Sequence, residues 1–94
     1  MMLSAAAIAD QAASPAMAAE RQLAAYNARD LDAFAACFAE DVEVYEFPGV
    51  LALKGQEAFR ARYAERFESA GLEAIAVHRA VIGSRVIDHE RVWL

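Results

Sequence analysis

Glu46 closes the run Val42-Glu43-Val44-Tyr45-Glu46-Phe47, in which apolar and polar positions alternate. In an extended strand alternate side chains share a face, so Val42, Val44 and Glu46 fall on one side and Glu43, Tyr45 and Phe47 on the other. A carboxylate walled by apolar groups has its charged form desolvated; its pKa rises and it can carry a proton in catalysis. The competing placement is a solvated strand end, because Pro48-Gly49 follows at once and marks a turn. Asp88-His89-Glu90 is the other dense polar group. Alternation sets Asp88 and Glu90 beside Val86 and Val92, and His89 beside Ile87 and Trp93. Neighbours along a strand point apart, so a cross-strand ion pair of Asp88 or Glu90 with Arg79 is expected before an acid–histidine relay. His78 lies among small apolar residues and is expected to pack. Neither histidine stands at metal-ligand spacing, so no metal is expected. The sequence also shows no glycine-rich phosphate loop and no Ser/His/Asp arrangement.

These groups need elements to position them. Ser14-Pro15 is a helix start, with serine as N-cap and proline at the first position. Ala19, Leu23 and Tyr26 then share a face of a helix ending near Asn27-Ala28, with Arg29 suited to its C-terminal dipole. Asp30 caps a second helix whose stripe is Leu31, Phe34, Ala35 and Phe38. The strand carrying Glu46 follows, then a hairpin partner over 50–54, and Gly55 breaks it. A third helix is expected over 56–70, with Phe59, Tyr63 and Phe67 at i, i+4 and i+8, its arginines and glutamates on solvated faces, and Gly71 as C-cap. Strands over 72–82 and 85–94 are joined by Gly83-Ser84, a turn with glycine in the first position. Helix, helix, hairpin, helix, hairpin is an α+β order with an antiparallel sheet backed by helices. Most of the aromatic residues must be core in a chain this small, but Tyr26, Phe34, Phe38 and Tyr63 could also line a pocket.

Composition narrows the classes. The sequence has 94 residues, room for one core, here assigned to 15–94 with a frayed tail over 1–14. Apolar residues make up 59% of the chain, but alanine supplies much of that and no run reaches a membrane-spanning length. The run at residues 1–9 has no basic region before it and is ended by Asp10, so a secretory signal is not expected. A net charge of −5 argues against nucleic acid or an anionic membrane as partner. Cys37 is the single cysteine; it fits a reducing cytoplasm and a packing role.

Four phrases then combine: AYNARDLDAF, FAEDVEVYEFP, a glycine opening a helix with FRARYAERF, and HRAVIGSRVIDHERV. In order and spacing, from about Glu20 to Val92, they resemble the SnoaL-like branch of the nuclear transport factor 2-like superfamily, whose fold ketosteroid isomerase, scytalone dehydratase and polyketide cyclases share. The resemblance implies a cone-like curved antiparallel or mixed sheet packed on three helices, with a pocket at the wide end. It matches Glu46 to the general-base aspartate of the isomerase-like members. It sets Gln22 where those members carry an oxyanion-binding tyrosine, with Tyr26 one turn on. Compared with the family the chain lacks about two strands, a final hairpin, which would leave the 85–94 strand as an apolar edge prone to self-association. The expected role is a small-pocket protein, open as to catalysis. One form is a cofactor-free isomerase, cyclase or dehydratase acting on a small apolar molecule, with Glu46 as base and Tyr26 or an acid of the last strand as donor. The alternatives are a non-catalytic ligand-binding or dimerising module, or a shortened member without activity. Asp88 and His89 join the aromatic residues as candidate pocket lining.

Overall fold

A computed structural model describes residues 14–94; apart from Ser14, the expected tail lies outside the described residues. The Ser14 hydroxyl accepts from the Met17 N–H at 3.1 Å, which starts helix α1 (Pro15–Asn27). Arg29 follows it in the left-handed region at φ 56°, so the chain turns sharply. Asp30 caps helix α2 (Leu31–Ala35) by accepting from the Ala33 N–H at 3.1 Å. Strands β1 (Glu43–Glu46) and β2 (Val50–Lys54) form the first hairpin, helix α3 (Gln56–Arg66) follows, and strands β3 (Glu73–Ile82) and β4 (Arg85–Trp93) form the second. Gly83 takes φ +61°, the positive value that the turn between β3 and β4 requires.

The α+β class and the element order are as the sequence dictates, and all strand pairing is antiparallel. The two hairpins are separate ladders, and the helices bridge them: α1 packs on β3 and β4, α2 joins α1 to α3, and α3 packs on β2. Between them lies a core of Ala25, Tyr26, Phe34, Ala35, Phe38, Phe59, Leu72 and Ala74, with Leu23, Val42, Val44, Leu53, Tyr63 and Phe67 packed against it.

Three side chains satisfy the backbone where helices and loops end. Gln56 Nε2 donates to the carbonyls of Ala35, Phe38 and Ala39, the open end of α2. Arg29 Nη2 donates to the carbonyls of Ser69, Ala70 and Leu72, so its cation serves the loop before β3 rather than the end of α1. Asn27 acts as a strand partner, giving Nδ2 to the Ala74 carbonyl at 2.8 Å and taking the Ala74 N–H at 2.7 Å. Gly71 has a different use from the expected cap, because α3 ends at Arg66. A Cβ at Gly71 would stand 2.9 Å from the Leu94 carbonyl oxygen, so glycine permits that close approach.

Phe34 and Phe59 are each 1% exposed, and Phe34 touches five other rings. Phe34→Ala should therefore cost about 3–5 kcal/mol, against a total of about 5–15 kcal/mol for a domain of ordinary stability. Urea unfolding followed by circular dichroism measures it. A loss below about 1 kcal/mol, the size of an average substitution, would contradict Phe34 as the centre of the core.

Candidate functional site

Arg79 on β3 lies directly opposite Asp88 on β4. Its Nε and Nη2 donate to the two Asp88 carboxylate oxygens at 2.7 and 2.9 Å, and its Nη1 donates to Glu20 of α1 at 2.7 Å. This is the cross-strand pair read from the sequence, extended to the helix. A bidentate guanidinium–carboxylate pair fixes geometry as well as charge, so α1 is held against the β3–β4 hairpin near its middle by Glu20 and at its C-terminus by Asn27.

Between those anchors a cleft of about 130 Å³ opens. Gln22, Leu23 and Tyr26 of α1 form one wall, Tyr63 and Arg66 of α3 another; Phe34 lies at its base, and Ala74, Glu90 and Val92 come from the sheet. Its aromatic floor is rigid by contact: Tyr26 and Tyr63 have ring centroids 5.6 and 4.8 Å from that of Phe34, and 6.4 Å from each other. Neither phenol hydroxyl makes a hydrogen bond to another described residue, so both can serve a ligand. Burial pushes the Tyr63 phenol up, so it stays a donor at neutral pH.

Glu90 is the one carboxylate among the cleft residues. It shares its face of β4 with Asp88, two residues away, and makes no ion pair with a described cation. Partial burial pushes its carboxyl above the ordinary value, and the Asp88 charge adds to the rise. Arg79, committed to Asp88 and Glu20, lowers it only in part. A titratable group with a raised pKa, in a cleft, beside phenol donors is the arrangement acid/base chemistry needs.

The candidates read from the sequence are divided by this geometry. Tyr26, Phe34 and Tyr63 meet in the cleft. Phe38 lies behind them in the core, its ring 4.6 Å from Phe59. Asp88 is taken up by Arg79 instead of lining the cleft, and His89 faces outward opposite His78, both exposed. Glu46 stands outside the cleft, 64% exposed, with Arg62 4.0 Å from its carboxylate. The strand alternation is real, since Val42 and Val44 pack on the core, but β1 ends at Glu46 beside the turn, where no element of the described residues covers that face. Cys37 is half-buried; its thiol donates to the Ala33 carbonyl at 3.3 Å and burial pushes its pKa up, the opposite of an activated thiolate. Among the described residues no group of three or more His, Cys, Asp or Glu is placed to hold a metal, and no helix is long and apolar enough to cross a membrane.

Arg66 was read among the solvated faces of α3. It lies three residues after Tyr63 and seven after Phe59, on the edge of the apolar stripe, and that spacing was the available signal.

The model of the SnoaL-like domain family matches residues 19–94. The chain belongs to this family. SnoaL-like domains have a family-level role as a small-molecule-binding or isomerase-like fold, which agrees with a cleft in this position. An uncharacterized cystatin fold protein from Novosphingobium aromaticivorans is similar in structure, with TM-score 0.76 and 26% identity over 85% of this chain and 69% of that one. A putative calcium/calmodulin-dependent protein kinase type II association domain from Thiobacillus denitrificans is similar at TM-score 0.57 and 31% identity, over 80% of this chain and 63% of that one. Among curated proteins there is no significant match.

Proposed function

We propose that this SnoaL-like domain binds a small, largely apolar molecule in the Tyr26–Tyr63–Glu90 cleft and moves a proton on it without a cofactor. The observation that carries this reading is the placement of Glu90, the one carboxylate among the cleft residues, beside the phenols of Tyr26 and Tyr63 and without an ion pair among the described residues; partial burial and the Asp88 charge push its carboxyl up. In its ionised form Glu90 takes a proton from carbon next to a carbonyl. A phenol of Tyr26 or Tyr63 donates to the carbonyl oxygen as charge develops there, and Glu90 returns the proton at a second carbon or to a leaving hydroxyl. Isomerisation and dehydration differ only in that last step. The resemblance gave the base role to Glu46; the cleft favours Glu90, an acid of the last strand. The raised Glu90 pKa brings the base closer to neutral pH, where general catalysis is most effective.

The test uses deuterium wash-in. Simple cyclic ketones are incubated with the protein in deuterated buffer, and exchange next to the carbonyl is followed by proton NMR. Exchange above the buffer rate is expected, with Glu90→Gln slowing it by about 10²-fold and Glu46→Gln leaving it intact. Exchange that survives Glu90→Gln and is lost in Glu46→Gln would return the base to the hairpin.

A second reading rests on a different surface. Ile75, Ile82, Ile87 and Trp93 lie on the face of the β3–β4 hairpin turned away from the helices, and all are exposed. Large apolar side chains exposed together on one face of a hairpin favour association. Glu73 and Arg85 stand at opposite ends of that face, so a second copy stacked with strands reversed would bring each glutamate to the partner's arginine. The likeness to a putative association domain supports the same reading. The domain is thus proposed to dimerise. Light scattering after size exclusion at micromolar concentration should give twice 10.2 kDa, and Ile87→Glu should halve it. A 10.2 kDa species at every concentration would contradict the dimer.

A further inference from the structure

Arg66 reaches the cleft from the last turn of α3, and its guanidinium makes no ion pair with a described carboxylate, Glu90 included. Each of the other two arginines of α3 lies near an acid: Arg60 pairs with Asp32, and Arg62 lies 4.0 Å from Glu46. Resting on the cleft reading above, we infer that the ligand is a small monocyclic carboxylic acid, with its carboxylate on Arg66 and its ring against Tyr26 and Tyr63.

Three observations converge on that chemistry. The first is charge. A guanidinium without a described carboxylate partner, bordering a cleft lined by aromatic rings, presents a planar fork of donors, which carboxylates match with two parallel bonds. The second is the neighbour. Glu90 shares the cleft, so a dianion such as a phosphate monoester meets stronger repulsion there than a monoanion does. The third is size. The cleft holds about 130 Å³, and an apolar cavity of about 150 Å³ holds one benzene ring. Fused rings therefore extend beyond it, whereas a single ring or a short branched chain fills it. A carboxylate on Arg66 also fixes which way the ring lies, and so which carbon Glu90 can reach. The rival role for Arg66 is that of a cation complementing the C-terminal dipole of α3. That role predicts a loss of helix stability on substitution and no effect on ligand choice.

Benzoate and its neutral isostere benzamide are the probes, titrated into the 15N-labelled domain and followed through the amide signals of Tyr63, Ala74 and Glu90. Benzoate should bind at least tenfold tighter than benzamide, Arg66→Gln should erase that preference, and Arg66→Lys should restore part of it. Benzamide affinity should be the same in all three proteins, which also shows that the variants are folded. Equal binding of the two probes to the native domain, or a preference that survives Arg66→Gln, overturns the carboxylate inference and leaves the cleft reading standing. If neither probe moves these signals, the cleft reading fails and takes the inference with it.

Discussion

Phe34 is the constraint on which the rest depends. Its ring is in contact with rings from α1, α3 and the turn after α2, so three helices are fixed by one side chain. Aromatic pairs at such separations add about 0.5–1.5 kcal/mol each beyond the area they bury. In a chain this short that cluster replaces a larger core. It also decides where the cleft can be. The rings of Tyr26 and Tyr63 rest on Phe34 on the side towards the second hairpin, so the floor of the site is the upper surface of the core. The candidate cleft and the core share the same residues.

The charges are arranged around that floor with a clear division. Arg79 binds two carboxylates, Asp88 and Glu20, and ties α1 to the sheet. Mutual satisfaction leaves those groups structural. Glu90 and Arg66, which both border the cleft, make no ion pair among the described residues. An acid and a cation that face one small concavity without pairing with each other leave both open to a ligand. A ligand with an ionised end and a proton to exchange would meet both.

Much of this was legible in the residues. Ser14-Pro15, Asp30 and Gly83 act through local backbone chemistry, so their caps and turn were readable at the right positions. A cross-strand pair of Arg79 with Asp88 or Glu90 was readable from the alternation, and the register set by the Gly83-Ser84 turn decides for Asp88, before a bulge shifts it beyond His78. What the sequence could not carry was coverage. Alternation says which face Glu46 shares with Val42 and Val44, but not that the strand ends where no other described element overlies it. The same gap hid the separation of the two hairpins, the contact of Gly71 with the Leu94 carbonyl and the clasp of Arg29 on three distant carbonyls. Each depends on residues far apart in the chain, and none leaves a periodic trace.

Glu90 is the proposed proton carrier of the cleft, and carboxyl-carbon NMR titration tests that role directly. Burial and the Asp88 charge make the folded state hold the Glu90 proton more tightly than the unfolded chain does. The stability Glu90 contributes is therefore complete below its ordinary value of 4.5 and is lost as pH rises through the folded value. The account predicts a Glu90 midpoint above 4.5, falling towards it in Asp88→Asn, where one cause of the rise is removed and Arg79 is freed. A midpoint at or below 4.5 would contradict it, because Glu90 would then be a solvated acid and the cleft would have no proton carrier.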